Sequence, residues 1–170
     1  MSDCSLKVLQ TIFPGLDWRG HLGRLGYLPQ VEVGGDGLTL EELSIVLSSA
    51  SIYESYEVST IYLNGSINQG WHDLYTELIY GAETNLRLVN YFEADLTGAD
   101  EDADGHWAIL EPKRFSSEVW VLNPGYPAGF ESVSYPLRLL YNSMRSIDDT
   151  SGRARGYIVL RRLTGELDEC

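Results

Sequence analysis

The chain has 170 residues, 25 acidic and 12 basic, giving a net charge of −13, with 44% hydrophobic and 22% charged residues. That length and composition fit one globular domain spanning 1–170, and the charge argues against nucleic acid and anionic membrane surfaces as partners. No run approaches the ~20 apolar residues of a membrane span, and the N-terminus lacks a basic-then-apolar leader pattern, so a soluble cytoplasmic protein is expected. The two cysteines, Cys4 and Cys170, stand near opposite ends and give neither a disulfide framework nor a zinc knuckle.

In chain order, "DCSLKVLQTIF" predicts a helix, with Cys4, Val8 and Ile12 on one stripe and Leu9 and Phe13 beside it. Asp3 is the expected N-cap, which places Cys4 in the first turn. Residues 13–37 hold seven Gly and two Pro and read as loop. "TLEELSIVLSSA" opens with Thr39 and Glu42 in capping-box spacing, followed by Leu40, Leu43 and Leu47 on one face. "YEVSTIYLNG" reads as a strand ending in an Asn-Gly turn. "WHDLYTELIYG" carries Trp71, Leu74, Tyr75, Leu78 and Ile79 at helical spacing, with Gly81 as the stop. "TNLRLVNYF", "HWAILE" and "SEVWVLN" read as strands. After "PGYPAGFESVS", Pro136 starts a helix that lines up Leu137, Leu140, Tyr141 and Met144. "SIDDTSGRARG" reads as a turn and "YIVLRRL" as a last strand. Helices first, then a mainly antiparallel sheet broken by a late helix, make an α+β pattern.

The segment "DEDADGHWAILE" fills the calcium-loop template with Asp100, Asp102, Asp104, Gly105 and Glu111. Its flanks are wrong for an EF-hand, because Pro112 follows Glu111 and blocks an exiting helix, while the entering segment is rich in strand formers. A solvated acidic turn over 100–104 is the expected reading. A divalent-cation sensor built on that turn is the non-catalytic alternative.

His106 begins one predicted strand and Asn123 ends the next. Adjacent antiparallel strands bring such positions together, and an Asn oxygen on imidazole fixes its orientation and tautomer. Cys4, in the first turn of a helix, feels unpaired N–H groups and the positive end of the dipole, which predicts a thiolate paired with His106. The order Cys, His, Asn is that of papain-like enzymes. Taken singly, each residue also has a plain reading: a core thiol, a strand-start histidine, a turn asparagine.

"GHWAIL", "VWVLNPGYP" and above all "YPLRLLYNSMRSIDDTSGRARGYIVLRR" resemble the catalytic domain of the phytochelatin synthase family, papain-like cysteine transpeptidases. "DCSLKVLQTIF" resembles its nucleophile helix. The likeness is densest over 105–162, and its most specific element is Asp148 followed seven residues on by Arg155, Gly156 and an aromatic residue. The resemblance implies a papain-like fold, with N-terminal helices packed on a mainly antiparallel sheet. It further implies Cys4 as nucleophile, His106 as acid/base and Asn123 as orienting residue, where the family usually has Asp. Asp148 and Arg155 would hold a γ-glutamyl head group, an arrangement that suits an Arg fork and an acidic partner for the ammonium. Trp107 and Tyr126 would flank the groove. The family's glutamine before the cysteine, a donor to the oxyanion, has no counterpart among Met1, Ser2 and Asp3.

The expected activity is acyl transfer through a Cys4 thioester on a small thiol peptide of the glutathione type, by hydrolysis or transpeptidation. Amide formation in a small-molecule pathway is the variant with the same chemistry. No cofactor and no metal are expected. The expected partner is a small-molecule or short-peptide substrate, with a homodimer left open.

Overall fold

A computed structural model describes residues 3–50, 55–64, 67–97, 105–124, 129–148 and 151–163. Four helices come first: α1 (Cys4–Ile12), α2 (Trp18–Leu25), α3 (Leu28–Val31) and α4 (Leu40–Ser48). Strand β1 (Tyr56–Tyr62), helix α5 (Ile67–Tyr80), strand β2 (Leu86–Phe92) and the single turn α6 (Ala94–Thr97) follow. The chain then forms β3 (Gly105–Pro112), β4 (Glu118–Pro124), β5 (Phe130–Pro136), α7 (Leu137–Met144), the short pair β6 (Ile147–Asp148) and β7 (Arg153–Ala154), and β8 (Gly156–Arg162).

The six longer strands make one sheet in the order β1-β8-β2-β3-β4-β5, antiparallel at every junction. The architecture is α+β. Side chains alternate across the sheet, and here both faces are covered. Leu88, Trp107, Ile109, Leu122, Ile158 and Leu160 pack with α1–α4. Their neighbours Val89, Ala108, Leu110, Val121, Tyr157 and Val159 pack with Leu74 and Leu78 of α5 and Leu137, Leu140, Tyr141 and Met144 of α7. Double coverage explains why these strands read as continuous apolar runs rather than as alternating ones.

Local signals worked where they were specific. Thr39 Oγ1 accepts from Glu42 N and Glu42 Oε1 accepts from Thr39 N, so the capping box at α4 is complete. Pro136 precedes α7 and Gly81 follows α5 as expected.

Three features depart from the expectations or add to them. The span 13–37 contains α2 and α3, because Asp17 caps α2 by accepting from Gly20 N and Trp18 and Leu22 are buried, which outweighs two helical glycines. Gly26, with φ of 81°, then closes α2 in the left-handed conformation. Second, the span before Pro136 forms β5, a polar edge strand paired with β4. Third, Asp3 occupies the N-cap position of α1 without capping it; its carboxylate pairs with Lys7 at 3.1 Å instead.

The acidic turn over 100–104 lies outside the described residues. Glu111, the last position of the calcium template, is an exposed residue of β3 rather than the end of a loop. Among the described residues no three His, Cys, Asp or Glu side chains are grouped to hold a metal ion. None of the described helices is long and apolar enough to cross a membrane.

Candidate active site

Helix α1 packs against β3 and β4, so its N-terminus lies over the end of the sheet where β3 starts and β4 finishes. Cys4, His106 and Asn123 all line one cavity there, of about 420 Å³, together with Asp3, Lys7, Glu93, Pro124, Gly129, Phe130 and Glu131.

His106 and Asn123 face the same side of the sheet. Leu110 pairs with Val121, so the ladder continues to a diagonal placement of the two side chains. His106 Nε2 lies 2.7 Å from Asn123 Oδ1. An amide oxygen can only accept, so Nε2 carries the proton and Nδ1 keeps its lone pair. Nδ1 has no hydrogen-bond partner, although His106 is only 5% exposed. Tyr91, opposite His106 in the β2–β3 register, sets its ring edge-on to the imidazole at 5.5 Å between centroids. The imidazole is thereby fixed on two sides, with one basic nitrogen left open.

Cys4 is a free thiol, also 5% exposed. Burial pushes its titration above the ordinary thiol range, opposed by the backbone N–H groups of Trp107 and Ser5. Burial likewise lowers His106, opposed by the Asn123 hydrogen bond and by the nearby Glu93 carboxylate. Both shifts run toward the uncharged forms, because burial penalises charge at either group. Desolvation thus works against the thiolate–imidazolium pair that the helix N-terminus favours.

The anticipated substrate contacts fare differently. The Trp107 side chain points away from the cavity into the core, 1% exposed, and its Nε1 donates to Leu38 O at 2.8 Å. Strand alternation forces this, since His106 takes the other face. What Trp107 offers the site is its backbone N–H beside the sulfur.

Neither Asp148 nor Arg155 is among the described residues lining the cavity. Arg155 is 6% exposed and donates through Nε to Ser146 Oγ at 3.1 Å and through Nη1 to Asn90 Oδ1 at 2.8 Å. Its guanidinium packs against Gly105, where any Cβ would collide with it. Arg155 is thus a buried support for the start of β3, one residue before His106. Asp148 sits in the β6–β7 hairpin opposite Arg153. Tyr126 lies outside the described residues.

Glu93, Glu131 and Lys7 were not anticipated. Glu93 follows directly on β2, whose last residue is pinned because Ser143 Oγ accepts from Phe92 N at 2.9 Å and donates to Phe92 O at 2.8 Å. Glu131 pairs with Asn123 across β4–β5. A single carboxylate in a turn, as at Glu93, or on a polar edge strand, as at Glu131, carries no spacing signal, so only the tertiary arrangement reveals either residue.

No protein-family model and no curated protein matches this chain.

Proposed function

We propose that the protein is a papain-like cysteine acyltransferase or peptidase, with Cys4 as nucleophile, His106 as proton carrier and Asn123 as the residue that orients it. The observation that carries this reading is the shared cavity: a thiol, a histidine with an open Nδ1 and an asparagine holding Nε2 all line it.

The chemistry follows from the protonation states. As Cys4 Sγ approaches a substrate carbonyl carbon, its proton passes to His106 Nδ1, which makes general-base assistance necessary for a thiol whose burial disfavours the free anion. The Sγ–C bond forms and the carbonyl oxygen becomes an oxyanion. His106 Nδ1–H then protonates the leaving nitrogen, the C–N bond breaks, and a Cys4 thioester remains. Water or an amine attacks that thioester, loses its proton to Nδ1, and the expelled sulfur recovers it. Asn123 Oδ1 stabilises the transient imidazolium throughout by accepting from Nε2.

The substrate class is a small peptide; the sequence resemblance points to glutathione-type thiol peptides. The test is release of amine from glutathione and from short peptides by the purified protein. Activity that survives Cys4→Ala would overturn the assignment, and activity abolished by Cys4→Ala and His106→Ala alike is the result expected.

A further inference from the structure

At the end of the sheet away from Cys4, helix α5, the β3–β4 turn and the start of α7 enclose a second cavity, an apolar groove of about 260 Å³. β3 carries His106 near one end and Pro112 of this groove at the other, so the two sites stand roughly 20 Å apart along the strand. One wall is the stripe Trp71, Tyr75 and Ile79 of α5, spaced every fourth residue; Pro112, Val119 and Leu137 face it. Leu78, on the neighbouring stripe, is buried in the core, whereas Tyr75 and Ile79 are about half exposed.

Two features point to an occupant. Arg138 lines the groove with its guanidinium 4.5 Å above the Trp71 ring, and Trp71 is itself set edge-on against Tyr141 at 5.3 Å. A guanidinium stacked on an indole keeps its in-plane N–H donors for a carboxylate. Among the described residues no carboxylate takes them. The other charges lining the groove, Lys113 and Glu118, pair with each other at 3.9 Å, and Glu118 also accepts from Ser134 Oγ. Arg114, on the same turn, pairs with Glu83 at 3.9 Å. In a chain of net charge −13, this groove offers an unmatched positive charge. The second feature is Phe115 in the β3–β4 turn, whose φ of 54° is a left-handed conformation that disfavours a large side chain. Its ring is fully exposed, next to the lining residue Ser116, where glycine would sit without strain.

We propose that this groove docks a short segment of a partner protein carrying one or two large apolar side chains beside a carboxylate. The apolar side chains enter between Trp71, Ile79 and Leu137, the carboxylate meets Arg138, and Phe115 adds contact from the turn. Charge decides between occupants. A second copy docking through the same face would bring like charges together, Arg138 on Arg138 with Lys113 and Arg114 beside them, whereas an acidic segment supplies the missing counter-charge. The proposal stands apart from the activity assigned to Cys4.

The test pans the full-length chain against a phage-displayed library of random 12-residue peptides and measures the synthesised winners by isothermal titration calorimetry. Selected peptides should share an aromatic or large aliphatic residue within four positions of Asp or Glu. Arg138→Glu and Ile79→Asp, both at exposed positions, should each weaken binding at least tenfold. Phe115→Gly should weaken it at least threefold without lowering the melting temperature, since the substitution relieves the turn. No enriched motif, a basic motif, or selected peptides bound equally by the wild type, Arg138→Glu and Ile79→Asp overturns the proposal. So does a wild-type dimer in sedimentation velocity that Ile79→Asp splits, because the occupant is then a second copy.

Discussion

Asn123→Ala removes the oxygen that holds His106 Nε2 at 2.7 Å. The ring already has one nitrogen without a partner and is 5% exposed, so the substitution leaves both nitrogens of a buried imidazole unsatisfied. Orphaning a buried polar group costs about 1–3 kcal/mol, which for a chain of this size is a fall of roughly 2–12 °C in melting temperature. The same energy lost from the acid/base step slows acyl transfer by about 5- to 150-fold. Nitrogen-detected NMR of the imidazole supplies the readout that separates orientation from stability. The wild type should display the Nε2–H tautomer, and Asn123→Ala a mixture with Nδ1–H. Asn123→Asp, which retains an acceptor, should keep the Nε2–H form and raise the pH at which His106 protonates. A wild type found as the Nδ1–H tautomer, or an Asn123→Ala protein with unchanged melting and unchanged tautomer, refutes the reasoning.

Further outcomes follow from other contacts. His106 titrates below its ordinary value in the folded protein, so between the lowered value and about pH 6.5 the unfolded chain binds more protons. Stability must therefore fall as pH drops through this window, and denaturant titrations should register less of that loss in His106→Gln. Cys4 shifts upward, so above about pH 8.5 the folded state holds a proton the unfolded chain has released. Stability should fall again there, less so in Cys4→Ser. Gly105→Ala drives a methyl group into the buried Arg155 guanidinium, which should cost about 1–3 kcal/mol and slow the reaction, because β3 shifts one residue before His106. Trp107→Phe removes the Nε1 donor from the buried Leu38 carbonyl. It should lower stability by about 1–3 kcal/mol while changing KM less than twofold, since that ring does not line the cavity.

The helices marked by a specific local device were legible in sequence: the Thr39–Glu42 box gives α4 and Pro136 gives α7. The central strands were legible because both faces are buried, so composition alone marks them. Helix α2 was hidden by Gly20 and Gly23, whose cost is met by tertiary burial of Trp18 and Leu22, a non-local effect. Strand β5 was hidden because an edge strand keeps polar residues and ends in Pro136.

Cys4, His106 and Asn123, which line one cavity, could be grouped in sequence from their order and from the expected strand ends. The pull of burial against charge at Cys4 and His106 was not legible, because the helix N-terminus is visible in sequence and desolvation is not. Trp107, next to His106 in sequence, lies in the core instead because neighbours on a strand face opposite ways. The contacts of Arg155 were not legible, because its partners Asn90 and Ser146 come from separate elements. The same reason hid Glu93 and Glu131.

The most direct measurement is an acid-quenched mass spectrum of the protein taken seconds after mixing with a panel of glutathione and short cationic, neutral and anionic peptides, followed by peptide mapping. The account predicts a thioester-linked acyl group on the peptide containing Cys4, labile to hydroxylamine and missing in His106→Ala. An unmodified Cys4 while substrate is consumed, or the acyl group on any other residue, would contradict it.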